Sequence, residues 1–173
     1  MQTSKPQKGS AKPLWAFAIA FIAIVVAVTV AHVSLGLTAV VVDGRSMLPT
    51  LQSGDLVFVI KAAPSQIKVG DVIVYRFTGY FYGYYLQNAL IIHRVIYIYY
   101  HGNTLCFVTK GDNNPIPDPG YPQYCGLVEI NGTPVSGVPY NDVVGVVVGG
   151  QDPIAIPYIG SLSLELRPQP GVT

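Results

Sequence analysis

Charge is scarce in this 173-residue chain: Asp, Glu, Lys and Arg make up 11% of it, ten basic against nine acidic residues, while 50% is hydrophobic. A net charge of +1 leaves no clustered basic surface for phosphate, so nucleic acid is excluded as a partner. So little charge in a half-apolar chain points instead to a membrane component. Cysteine is also rare. Cys106 and Cys125 are too few for a disulfide scaffold and lack the CxxC spacing of a zinc site. They leave two readings open: one disulfide bracing the segment between them, or two buried free thiols. No HExxH or other compact ligand motif is present, so no metal or cofactor is expected. There is no internal repeat and no second domain boundary.

What the sequence does have is one long uncharged run. From Leu14 to Val42, "LWAFAIAFIAIVVAVTVAHVSLGLTAVVV" contains no Asp, Glu, Lys or Arg, and about 20 apolar residues suffice to cross the hydrocarbon core. The run predicts a transmembrane helix ending near Leu35 to Leu37. Lys5, Lys8 and Lys12 precede it with no acid among them, which places the N-terminus in the cytoplasm, with Trp15 at the interface. A cleavable signal peptide is the alternative, but its apolar core is shorter, typically 7–15 residues. His32 is expected near the outer interface without a chemical role. The expected organisation is a cytoplasmic N-terminus over 1–13, a single-pass anchor over 14–37 in the plasma membrane, an extracytoplasmic domain over 38–160 and a tail over 161–173.

Past the anchor the periodicity changes. "TAVVV", "DLVFVI", "DVIVYRF", "LIIHRVIYIYY", "TLCFVTK", "GLVEI" and "DVVGVVVG" are short β-branched and aromatic runs between Gly, Pro, Asn and Asp clusters. The fold class is therefore mainly β, an antiparallel sheet domain behind one helix, with a hairpin turn at Gly102-Asn103. Prolines in "NNPIPDPGYPQ", residues 113–123, forbid regular structure there. The stretch from Phe77 to Tyr85 holds six aromatics and no charge. It is either a loop dipping among lipid headgroups or a packed hairpin.

Candidates for chemistry are Ser46 in "GRSMLPTL", His93 in "IIHRV", and Asp112 and Asp118 in "KGDNNPIPDPG". A serine becomes nucleophilic when an imidazole takes its proton and a carboxylate holds that imidazole in the right tautomer. Spacing cannot show that such distant residues meet. The local contexts say more: "VDGRSMLPTL", "GDVIVY", "HRVI" and "TKGDNN", closed by "DVVGVVV" and "IPYIG", in that order behind a single anchor, resemble the successive sequence boxes of type I signal peptidases. The resemblance runs from about Val41 to Gly160. Bacterial-type members carry a lysine before the "RV" pair, whereas here His93 precedes Arg94-Val95, as in the archaeal and endoplasmic-reticulum branch.

That resemblance implies an antiparallel β-sheet catalytic domain and a serine endopeptidase that removes signal peptides from preproteins, cutting after small residues. It implies Ser46 as nucleophile, His93 as general base, Asp118 as the acid of the triad and Asp112 as a supporting site residue. The Ser46 backbone N–H is the expected oxyanion donor; the second donor that some members take from a serine two residues earlier is missing, because Gly44 stands there. Met47 and Leu48, beside the serine, are candidates to line the substrate pockets or to contact the bilayer. Preproteins, membrane lipid, and accessory subunits or translocation machinery are the implied partners. The tail "IPYIGSLSLELRPQPGVT", with Glu165 and Arg167, is too short and charged for the second hydrophobic helix of many relatives. Three other readings compete: a non-catalytic membrane-anchored β interaction module, a Ser/Lys hydrolase using Lys61 or Lys68, and a metal hydrolase using His93, Asp112 and Asp118.

Overall fold

The computed structural model describes residues 14–165, with the side chains of Leu14, Ala31, His32 and Leu35 outside that description. The expectations placed on Lys5, Lys8 and Lys12, on the His32 side chain and on Arg167 therefore lie outside the described residues. The chain opens with α1 (Leu14–Leu35), 22 residues without an acid in the first turn. Bulky apolar side chains project outward along it, Trp15, Phe21 and Val33 among them, each exposed. Among the described residues no helix is long and apolar enough to cross a membrane, although the α1 backbone runs unbroken through positions 14, 31, 32 and 35.

Ten strands follow: β1 (Thr38–Val41), β2 (Leu56–Ile60), β3 (Val72–Phe81), β4 (Tyr84–His101), β5 (Thr104–Lys110), β6 (Val128–Ile130), β7 (Thr133–Val135), β8 (Val138–Pro139), β9 (Val143–Val147) and β10 (Ala155–Ile156). Among the described residues there are also two short α-helices, α2 (Pro122–Cys125) and α3 (Ser161–Glu165). The main sheet has the order β1-β2-β9-β3-β4-β5-β8, with β10 also on β2, and β6 and β7 form a separate hairpin. All pairings among these strands are antiparallel. Each strand run expected from the sequence becomes a strand, and β7, β8 and β10 are additions too short to carry a pattern.

The core follows the period-2 geometry of a strand. In β3, Val72 and Val74 pack on one face with Val42, Met47, Leu51, Val57 and Val147. Ile73, Tyr75 and Phe77 pack on the other with Val95, Phe107, Tyr121 and Val138. Both faces of β3 are covered, which is why "VIVY" reads as a continuous apolar run rather than an alternation.

Two hairpins matter for the site. The β4–β5 turn falls at Gly102-Asn103, with His101 opposite Thr104 and Gly102 at φ 57°. The β3–β4 hairpin turns at Tyr82-Gly83, both at positive φ, 47° and 90°, the twist that two-residue hairpin turns favour. The aromatic stretch is thus a strand hairpin rather than a loop. Phe77 is buried within it, while Tyr80, Tyr84 and Tyr85 are exposed.

Candidate active site

Ser46 sits in a tight turn between β1 and β2, where Leu48 N–H donates to Arg45 O (3.2 Å) and Leu51 N–H to Met47 O (3.0 Å). The "GDNN" turn after β5 clamps it: Asn113 N–H donates to Ser46 O (2.8 Å) and Asn113 Nδ2 to Arg45 O (3.2 Å). Gly111 is there because nothing larger fits. A Cβ at this position would lie 2.6 Å from Ser46 O and 2.9 Å from His93 Nε2, so the serine turn and the outer nitrogen of the imidazole converge on one point of the Gly111 backbone.

His93 lies in β4 opposite Ile73. It is 3% exposed, and its Nδ1 stands 2.7 Å from Asp118 Oδ2, with Asp118 equally buried. Asp118 reaches into the protein from the proline-rich loop because its N–H donates to Thr109 O (2.8 Å). The same carboxylate oxygen accepts hydrogen bonds from Thr109 Oγ1 (2.7 Å) and Tyr75 OH (2.8 Å), and its other oxygen accepts one from Tyr82 OH (3.1 Å). Burial, and then the charge of Asp118, push the Tyr75 phenol far above its ordinary pKa, so it remains a donor.

Asp112 is oriented elsewhere. Arg94 grips it with two bonds, Nε to Oδ1 (2.8 Å) and Nη2 to Oδ2 (2.7 Å), and Thr50 Oγ1 donates a third (2.6 Å). Burial alone would raise this carboxyl, but the bonds from Arg94 and Thr50 outweigh it and hold Asp112 below the usual carboxylate pKa. Arg94 Nη1 also donates to Gly70 O and Gln151 O (2.7 and 2.8 Å). Asp112 thus fastens the "GDNN" turn to β4 on one side and, through Thr50, to the serine turn on the other.

Ser46 and His93 open into the same cleft of about 780 Å³. Its walls include the whole of β1 and the Leu86–Ile92 part of β4, together with Phe81, Tyr82 and Asn114. Among the described residues these strand segments have one strand partner each, β2 and β3 respectively, so each presents an edge open to a further strand. The pocket roles expected for Met47 and Leu48 need correction. Met47 is 1% exposed and belongs to the core with Leu51 and Val57, because on a tight turn it faces away from its neighbour Ser46. Leu48 is partly buried, and neither residue lines the cleft. Lys61 and Lys68 are exposed and do not line it either, and Lys61 packs beside Gly36. Cys106 and Cys125 are joined in a disulfide that closes the segment carrying Asp112 and Asp118. Among the described residues no group of three His, Cys, Asp or Glu side chains is placed to hold a metal ion.

Sequence reasoning missed Tyr75, Thr109, Tyr82 and Thr50, and took Arg94 only as a neighbour of His93. The available signal was polar residues inside apolar strands, Thr109 and Tyr75 above all, since a buried hydroxyl must find a partner.

A buried imidazole–carboxylate pair opening into a cleft that also holds a serine brings together the three residue types used by the serine hydrolase class. Residues 14–101, half of the chain, match the family model for "Signal peptidase, peptidase S26". The signal peptidase complex catalytic subunit SEC11C of Homo sapiens is 30% identical over 133 residues, 76% of this chain and 58% of that protein. The catalytic subunit SEC11 of Scheffersomyces stipitis is 37% identical over 81 residues, 47% of this chain and 44% of that protein. This chain belongs to the signal peptidase family, peptidase S26. It spans about half the length of the curated relatives it matches.

Proposed function

We propose that the protein is a membrane-anchored serine endopeptidase that removes signal peptides from translocated preproteins, with Ser46 as nucleophile, His93 as general base and Asp118 as the acid that orients it. The observation that carries this reading is the 2.7 Å His93 Nδ1–Asp118 contact beneath a cleft shared by His93 and Ser46. Asp118 accepts a hydrogen bond from Nδ1–H and leaves Nε2 as the basic nitrogen. His93 takes the Ser46 proton as Oγ attacks the scissile carbonyl, then gives it to the leaving amine. A water deprotonated by the same imidazole releases the acyl group. The Ser46 N–H is the proposed oxyanion donor, a role whose loss typically costs about 2.7–4 kcal/mol of transition-state stabilisation. Asp112 supports the site by holding the serine turn.

The substrate enters as an extended strand between the free edges of β1 and the Leu86–Ile92 part of β4, with backbone bonds supplying affinity and shallow pockets selecting small side chains. Apolar residues dominate the cleft, Val40, Leu86 and Ile91 among them, which suits the uncharged stretch before such a cut. The proposed anchor is α1 counted over its whole backbone, the residues at 14, 31, 32 and 35 included: 22 residues at 1.5 Å each give about 33 Å, against a hydrocarbon core of about 30 Å. Its N-terminus is cytoplasmic and its β domain extracytoplasmic, at the plasma membrane. Because the SEC11 relatives are named as subunits of a complex, accessory subunits are proposed as partners.

The test is cleavage of a preprotein carrying small residues before its cut, in detergent, beside Ser46→Ala, with sequencing of the new N-terminus. A cut after the small residues that disappears with Ser46→Ala supports the reading. A folded wild type that cuts nothing refutes it.

A further inference from the structure

The hydrogen bonds on Asp118 are uneven. Oδ2 lies against three donors, His93 Nδ1, Thr109 Oγ1 and Tyr75 OH, all from buried residues of the sheet. Oδ1 lies 3.1 Å from the phenol of Tyr82, which comes from the turn of the β3–β4 hairpin and is 41% exposed. Sheet strands thus fix one side of the carboxylate, and a surface hairpin fixes the other.

Tyr82 is built into that place. Its φ of 47° is a left-handed conformation uncommon for a bulky residue, and the turn aims the ring back toward the proline-rich loop. There the hydroxyl also lies 3.0 Å from Ile116 O. A phenol has one proton, so it serves one acceptor at a time, and the anionic oxygen is the stronger. The ring packs edge-on against Phe81 at 4.8 Å, and Phe81 in turn stands 6.1 Å from His93. Burial, and then the Asp118 charge, raise the Tyr82 phenol far above its ordinary pKa, which keeps it a donor wherever the protein is folded.

We propose that Tyr82 is a positioning residue for the reaction: from the hairpin turn its hydroxyl sets the rotation of the Asp118 carboxylate and, through it, the aim of His93 at Ser46. This rests on the Ser46–His93–Asp118 reading above. Without Tyr82, Oδ1 loses its Tyr82 donor, the carboxylate settles at an angle set by the three donors on Oδ2 alone, and the imidazole follows it. Thr109 and Tyr75 hold the acid in place, while Tyr82 sets its angle.

The test uses the full chain in detergent with a preprotein substrate, comparing wild type, Tyr82→Phe and Tyr84→Phe. Tyr82→Phe keeps the ring in the cleft wall and removes only the hydroxyl. The expected result is a fall in kcat of about tenfold, the order of a lost charge-assisted bond, with KM within about twofold of wild type and thermal stability nearly unchanged. Tyr84→Phe, on the same hairpin and exposed, leaves kcat as it was. An unchanged kcat in Tyr82→Phe, or a loss appearing only in KM or only in stability, overturns the proposal. A second readout does not depend on turnover: in proton NMR, the low-field resonance of the His93 Nδ1–H bonded to Asp118 shifts or broadens in Tyr82→Phe and stays fixed in Tyr84→Phe. If wild type cuts nothing, the peptidase reading fails by itself. The resonance then decides Tyr82 alone, a shift supporting its hold on the His93–Asp118 pair and an unmoved line overturning it.

Discussion

Asp118→Asn separates the two demands made on the acid. The amide is nearly isosteric, and its one carbonyl oxygen, turned to the Oδ2 position, still meets His93 Nδ1, Thr109 Oγ1 and Tyr75 OH. The amide nitrogen then faces Tyr82, whose hydroxyl turns to accept. Most of the hydrogen bonds are kept and the charge is lost. The cost falls where charge matters, on the imidazolium that forms as Ser46 gives up its proton. With about 4 Å between charge centres and an effective dielectric near 20, the lost attraction is roughly 4 kcal/mol, or about 10³-fold in rate. Folding loses less, on the order of 1–2 kcal/mol, the difference between charged and neutral hydrogen bonds. Preprotein cleavage kinetics and thermal unfolding on the same preparation check both figures. If Asp118→Asn keeps kcat within about tenfold of wild type while Asp112→Asn abolishes it, the acid is misassigned and Asp118 does not stabilise the imidazolium.

Three other outcomes are expected. Because the folded protein holds the Asp112 carboxyl below its ordinary pKa, its stabilisation is complete above the usual carboxylate range and is lost as pH falls through the folded value. Asp112→Asn therefore lowers the unfolding free energy at neutral pH by an amount between that of an exposed pair, about 1 kcal/mol, and a buried one, about 3 kcal/mol, and the gap to wild type in urea unfolding closes in strong acid; a pH-independent gap contradicts this. Gly111→Ala forces Ser46 O and His93 Nε2 apart and lowers kcat/KM roughly a hundredfold, the scale of a 1 Å misplacement, whereas an active Gly111→Ala enzyme rules out the close approach. Replacing both Cys106 and Cys125 by serine frees a 19-residue separation and lowers urea-measured stability by about 3 kcal/mol in the loop-entropy account; equal stability in non-reducing buffer argues against the bond.

Strands announced themselves wherever a β-branched run met a turn cluster, and Gly102-Asn103 marked its hairpin because glycine takes positive φ freely. The other hairpin stayed open against a loop dipping among headgroups, since its turn begins with Tyr82, a residue type that gives no turn signal. So β4 reaches back to Tyr84, beyond the apolar run that showed it. The meeting of His93 and Asp118, 25 positions apart, was implied only by resemblance to a family, because periodicity carries no information about contacts across a sheet. Met47 misled for a related reason: adjacency to Ser46 along the chain says little about direction on a tight turn. Thr109 and Tyr75 were visible as residues and illegible as partners until Asp118 was placed between them.

The position of β9 bears on when the molecule becomes competent. β9, residues 143–147, is inserted between β2 and β3, so the sheet segment next to the serine and the one bearing the histidine are made early, separated by a vacant slot, and joined by a strand made late. On a chain still emerging from the ribosome, neither half of the main sheet is continuous with the other until Val147 has been delivered to the folding side. Under the peptidase reading such a chain is silent through most of its own synthesis, and a truncation between Lys110 and Val143 leaves two unjoined half-sheets rather than a weakened enzyme.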